Sequence, residues 1–109
     1  MIFEALYRSA QDGELVLVDG GYLRYHRRRD GQITICEVIV LPACQRRGIG
    51  QALVSSLVAM QPGSILAKCP ADLPSNGFYA HLGFALEDIE HSRVGRTINV
   101  WRWQRQSTS

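Results

Sequence analysis

The chain has 109 residues, the length of one domain with room for a single core. Its 46% apolar and 20% charged residues make a disordered chain implausible, and a net charge of +2 is too mild to imply nucleic acid by itself. No run nears the roughly 18 apolar residues of a membrane helix, and MIFEALYRSA has no basic stretch before an apolar core, so no secretory signal is expected and a cytoplasmic location is the default.

Ile2, Leu6 and Ala10, with Phe3 beside them, sit at helical spacing, so a short helix is expected over residues 2–10. ELVLVDGG (14–21) and YLRYHRRR (22–29) alternate in part and read as strands joined at Asp19-Gly20-Gly21. Asp30-Gly31 marks the next turn, and QITICEVIVL (32–41) follows as a strand. By strict alternation Ile33, Ile35, Ile39 and Leu41 share one face, and Cys36, Val38 and Val40 the other. That is the pattern of a central strand covered on both sides. Glu37 is the one charge in the run, and it falls on the isoleucine face unless a bulge shifts the parity.

Pro42 ends that strand. The spacing predicts a helix from Gly48 to Met60, with Ile49, Ala52, Leu53, Leu57 and Met60 inward and Val54 and Val58 widening the stripe. Pro62-Gly63 stops it. SILAKCP (64–70) reads as a short buried strand, and LPSNGFYAHLGF (73–84) as a short helix capped by Ser75 or Asn76, with Gly83 just past its end. FALEDIEH and TINVWRW form a closing antiparallel pair, and residues 104–109 a flexible tail. The fold class is α/β or α+β: one domain over residues 1–109, a mixed and mostly antiparallel sheet with a strand–loop–helix crossover at its centre. Cys36, Cys44 and Cys69 are an odd set without CxxC spacing, and His26, His81 and His91 stand apart from them. Reduced thiols are expected, and no metal site.

PACQRRGIGQALV (42–54) carries the chemistry. A helix start offers unpaired N–H groups and a partial positive charge, and glycines let the backbone approach an anion closely. The Walker pattern is excluded because no Gly-Lys-Ser/Thr follows, and the dinucleotide fingerprint because GIGQAL lacks its third glycine. What remains is a loop that takes a pyrophosphate directly after a central strand.

QRRGIG matches the Arg/Gln-x-x-Gly-x-Gly/Ala signature of the GNAT N-acetyltransferases, and NGFYAHLGF (76–84) is similar to that family's later motif. The sequence resembles this superfamily over two motifs in the right order. The resemblance implies a GNAT-like sheet with helices on both faces, and acetyl-CoA as cosubstrate. Its pyrophosphate would lie on the N–H groups of Arg46, Arg47, Gly48, Ile49, Gly50 and Gln51, with Gln45 just before them. Its pantetheine arm would lie along Val38, Ile39 and Val40, and the strand would diverge from SILAKCP to admit it. Phe78 and Asn76 are further candidate cofactor contacts, although a cap serves Asn76 equally well. Tyr79 stands where many members protonate the departing thiol; the plain alternative is a core aromatic. Glu37 is the candidate base, against a charge at a bulge or in an ion pair. A backbone N–H near Val40 would stabilise the thioester oxygen. Cys36 and Cys44 have no histidine near them in sequence and read as small hydrophobes.

The implied activity is direct acetyl transfer to a primary amine of a small molecule or peptide. A CoA-binding module without catalysis, and a nucleic-acid-directed acyltransferase using Arg24, His26, Arg27, Arg28 and Arg29, are the competing readings. This sequence is shorter than the family's usual domain, so no counterpart is expected in it for the first strand or for much of the helical segment lining the acceptor side. Trp101 and Trp103 face the same side of the last strand, as core or as a dimer surface, and a homodimer is expected.

Overall fold

The structure is a computed structural model that describes residues 7, 8, 10–45 and 47–105. It contains β1 (Leu15–Val18), β2 (Gly21–Arg27), β3 (Ile33–Val40), a single 3-10 turn (Pro42–Cys44), α1 (Ile49–Val58), β4 (Ser64–Pro70), α2 (Ser75–His81), β5 (Ala85–His91) and β6 (Thr97–Gln104). The strands form one six-stranded sheet in the order β1-β2-β3-β4-β6-β5. Every pairing among the described residues is antiparallel except β3 with β4. The helix expected over residues 2–10 falls largely outside the described residues, of which Tyr7, Arg8, Ala10 and Gln11 are helical. No helix among the described residues is long and apolar enough to cross a membrane.

β3 departs from strict alternation. Arg24 pairs with Glu37, but the next residue, Tyr25, pairs with Ile35, so Cys36 is an extra residue on β3. This β-bulge reverses the parity of everything after it. Ile33 and Ile35 before it, and Val38 and Val40 after it, all pack on the helical core. Ile39, expected beside the other isoleucines, is on the far face and 40% exposed. Glu37 moves to that face with it, opposite Arg24. The expectation of a strand covered on both sides is therefore corrected: Cys36 and Ile39 are exposed.

α1 and α2 share the other face. Leu53, Val54 and Leu57 of α1 join Tyr79 of α2 in one cluster with Leu23, Tyr25, Ile65 and Ala67 of the sheet. α1 follows its expected stripe except at Ala52, which is exposed. Gly83 ends α2 at φ +92°, as its place in the sequence implied. Trp101 and Trp103 stand opposite Ala67 and Ile65 of β4 and pack on this same core. Both are partly buried against it, as the core reading of this pair expects. The tail begins later than expected: Gln104 belongs to β6, and the Arg105 N–H donates to the Gly63 carbonyl at 3.1 Å. Residues 106–109 lie outside the described set.

The bulge generates a stability prediction. The Cys36 side chain is exposed, so Cys36→Ser should change stability by no more than about 0.5 kcal/mol. Deleting Cys36 would force either a register slip or Glu37 into the core, at a loss of several kcal/mol, on the order of 3 or more. Urea denaturation of the two variants checks this. Equal midpoints would show that the bulge does not set the parity of β3.

Candidate functional site

β3 and β4 pair only from Ile33 to Ile35 and from Ile65 to Ala67. Beyond the bulge they separate, although β3 runs on to Val40 and β4 to Pro70. The sheet forks there, as the sequence reading expected. Backbone alternation decides which groups face the gap. The Leu41 N–H donates to the Gly20 carbonyl at 2.8 Å. Stepping back by two, Ile39 and Glu37 also spend their N–H and C=O groups on β2. The backbone groups of Val38 and Val40 therefore point into the fork, while those of Ile39 do not. The Gln45 side-chain amide reaches the Val40 carbonyl from the loop, at 3.4 Å.

The chain then turns to α1. Gly48 is its N-cap at φ +77°, a left-handed conformation that costs any L side chain about 1 kcal/mol or more. Among the described residues no side chain caps the helix, and its first turn has no acidic residue. The first helical bond runs from the Ala52 N–H to the Gly48 carbonyl, 2.9 Å, so the N–H groups of Ile49, Gly50 and Gln51 have no intrahelical acceptor. Gly50 serves packing: a Cβ there would come within 2.9 Å of the Phe78 ring. α1 and α2 thus meet at Gly50, beside the fork.

A cleft of about 840 Å³ opens at this meeting point. Val38 and Val40 form one wall, Gln45 and the Gly48–Gln51 start of α1 the floor, and α2 the other wall with Phe78 and Tyr79. Of the candidate cofactor residues, these come together. Arg47 is exposed and not part of the lining, and Arg46 lies outside the described residues. Ile39 lies across the sheet. Pro74, Ser75, His81 and Leu82 also line the cleft. Sequence reasoning passed over Pro74 and Leu82 and weighed Ser75 only as a cap, although Ser75, Phe78, Tyr79 and Leu82 recur at the spacing of one helical face.

Asn76 does something else. Its amide nitrogen lies 2.9 Å from the Pro70 carbonyl, 3.3 Å from that of Ala71 and 2.7 Å from that of Leu73. Its oxygen accepts from Asn99 at 3.0 Å and from the Trp101 indole at 2.9 Å. The side chain ties α2 to the end of β4 and to the middle of β6; it neither caps the helix nor lines the cleft. The arginine cluster is also largely engaged. Arg24 pairs with Glu37 at 3.3 Å, His26 with Glu14 at 3.1 Å, and Arg28 with Asp30 at 3.9 Å. Arg27 and Arg29, by contrast, are exposed.

The family model described as Acetyltransferase (GNAT) domain matches residues 4–86. The chain belongs to the GNAT acetyltransferase family. The ribosomal-protein-S18-alanine N-acetyltransferase of Escherichia coli superposes with a TM-score of 0.73 at 18% identity, over 97% of this chain and 79% of that one. A provisionally assigned streptothricin acetyltransferase of Bacillus anthracis, solved with acetyl coenzyme A, superposes at 0.70 and 12% identity, over 78% of this chain and 55% of that one. A provisionally assigned GNAT acetyltransferase of Desulfovibrio desulfuricans gives 0.69 at 21% identity, over 78% and 61%. At such identities the likeness shows the fold alone, and this chain spans less than two thirds of the last two proteins. No significant match was found among curated protein sequences.

Within this GNAT domain, Tyr79 is 6% exposed, with its ring against Phe78 and Phe84 at centroid distances of 5.3 and 5.4 Å. Burial first, and nearby Cys69 second, push its hydroxyl up to about 12. Burial also raises the Cys69 thiol, with Asp72 adding to the effect. Thiolate, the nucleophilic form, is thereby disfavoured at Cys69.

The raised Tyr79 value carries a linkage prediction. A group whose folded value lies above its unfolded value stabilises the fold fully below the unfolded value, about 10 for tyrosine. That stability is lost as pH rises to the folded value of about 12. The parent should therefore lose roughly 2–3 kcal/mol more than Tyr79→Phe between those limits. Denaturant titrations of both proteins across that range measure the difference. Parallel losses would mean that Tyr79 ionises as freely folded as unfolded.

Proposed function

We propose that this chain is an N-acetyltransferase that moves acetyl from acetyl-CoA directly to a primary amine on a small molecule or peptide. The observation that carries the reading is the fork. Backbone groups of Val38 and Val40 that face the fork rather than a strand lead, through one cleft, to the start of α1. An extended amide-bearing arm matches the first and a pyrophosphate matches the second. The E. coli and B. anthracis folds, whose names are those of acetyltransferases, support the same class of reaction.

In this reading the N–H groups of Ile49, Gly50 and Gln51, with the helix dipole behind them, hold the pyrophosphate, and Gln45 and Arg47 flank it. Val38 and Val40 hydrogen-bond the pantetheine amides and orient the thioester at the fork. An N–H of the same strand stabilises the carbonyl oxygen as it gains charge. Phe78 packs against the arm. Glu37, on the far face beside the fork, accepts the proton that the amine sheds as its nitrogen bonds to the acetyl carbon. The carbon–sulfur bond then breaks, and Tyr79 supplies hydrogen to the sulfur. The proton held by Glu37 returns to Tyr79 through solvent, so the enzyme ends as it began.

The value at Tyr79 refines its role. An ordinary thiol titrates near 8.5, and burial raises the Tyr79 hydroxyl well above that, so complete proton transfer to the thiolate is uphill. Tyr79 therefore acts first as a hydrogen-bond donor to the developing thiolate, and full protonation follows as the product leaves. Tyr79→Phe keeps the ring and its packing while removing the donor. Turnover, followed by thiol release, should fall roughly 10²–10³-fold, with acetyl-CoA affinity by calorimetry little changed. Turnover within a fewfold of the parent would remove Tyr79 from the reaction.

A further inference from the structure

Glu37 does not stand alone on the far face. The Tyr22 hydroxyl donates to its Oε1 at 2.8 Å, and Arg24 Nε donates to the same oxygen at 3.3 Å. Both donors come from β2, the strand on the side of β3 away from the fork. Arg24 is the direct cross-strand partner of Glu37, and Tyr22 is the diagonal one, paired with Ile39. Without the extra residue at Cys36, Glu37 would share a face with Ile35 and neither donor could reach it.

We propose that Tyr22 and Arg24 are positioning residues that clamp Glu37 by Oε1 and leave Oε2 to address the fork. The proposal deepens the acetyl-transfer reading and rests on Glu37 as its base. Two donors on one oxygen fix the rotation of a carboxylate, where a single bond would leave it free to swing. Both donors fall on Oε1 and no hydrogen bond to Oε2 is formed by the described residues, so Oε2 is the oxygen left for an amine that reaches the far face beside the fork. The side chains of Arg24 and Glu37 are only 22% and 25% exposed, so water competes weakly for the clamp. The Tyr22 hydroxyl is raised above its ordinary value, by burial first and by its bond to Glu37 second, so it remains a donor through the neutral range. Other charges near this row engage elsewhere: Glu14 pairs with His26, one step further along β2.

A double-mutant cycle tests the clamp. Parent, Tyr22→Phe, Glu37→Gln and the double variant are compared for thiol release from acetyl-CoA, with n-butylamine as acceptor and with water alone. Calorimetric affinity for CoA and thermal melting serve as controls. Glu37→Gln should reduce kcat roughly 10²-fold or more, and Tyr22→Phe about tenfold with CoA affinity unchanged. The double variant should match Glu37→Gln, because Tyr22 acts only through that carboxylate. Arg24→Lys, which keeps charge but loses the guanidinium fork, repeats the cycle and covers poor folding of Tyr22→Phe. Equal losses in both backgrounds, or no loss in the parent background, would overturn the clamp while leaving Glu37 as base. A Glu37→Gln protein that turns over like the parent would overturn the base assignment, and a parent that releases no thiol would overturn the reading beneath it; the clamp falls in both cases.

Discussion

One inserted residue organises this domain. Cys36 is the extra member of β3, and a β-bulge bends its strand and increases the local twist. Parallel pairing with β4 ends at the residue before it. The same insertion turns Val38 and Val40 to the helical face and Glu37 to the other. A regular strand would close the gap with hydrogen bonds and leave no backbone group unspent. It would also bury a carboxylate in the core, at a penalty of several kcal/mol. The fork, its exposed amides and the separation of Glu37 from Tyr79 across the sheet thus share one geometric cause.

Holding the fork open requires its two walls to be fixed independently. The β3 wall is fixed by β2, with Arg24 and Tyr22 reaching Glu37 on the far side. The α2 wall is fixed by Asn76, whose amide joins the carbonyls of Pro70 at the end of β4 and of Ala71 and Leu73 just beyond it to Asn99 and Trp101 on β6. Each half-buried polar bond of this kind contributes up to about 1 kcal/mol net, and an unmet partner costs about as much or more. The hub therefore matters more for what its loss would leave unpaired than for the bonds themselves. Where the walls approach, Gly50 admits the Phe78 ring, so α1 can present its N-terminus beside Tyr79.

Much of this was legible in the sequence. Strand and helix order followed from apolar periodicity and turn residues, and the family from QRRGIG and NGFYAHLGF in their places. The divergence of β3 from β4 came from that resemblance. What was not legible traces to assumptions of regularity. Alternation counted through Cys36 as though β3 were unbroken, which misplaced Ile39; Glu37, the one charge in the run, signalled a shift of parity but not which residue is extra. Asn76 looked like a cap because it stands near a helix start, yet its partners on β6 are more than twenty positions away in the chain and invisible to local reasoning. The Trp101 and Trp103 pair was ambiguous for the same reason, since a two-residue period shows that side chains share a face but not what covers it.

The central claim is that the gap beyond Cys36 and the start of α1 form one binding site for acetyl-CoA. Backbone amide NMR of the nitrogen-15-labelled chain, titrated with CoA, tests this most directly. The account predicts saturable shifts centred on Val38, Val40, Ile49, Gly50 and Gln51, with Ile39 and the exposed β5 strand little changed. Absence of binding, or shifts centred on the arginines of β2 with the fork silent, would contradict it.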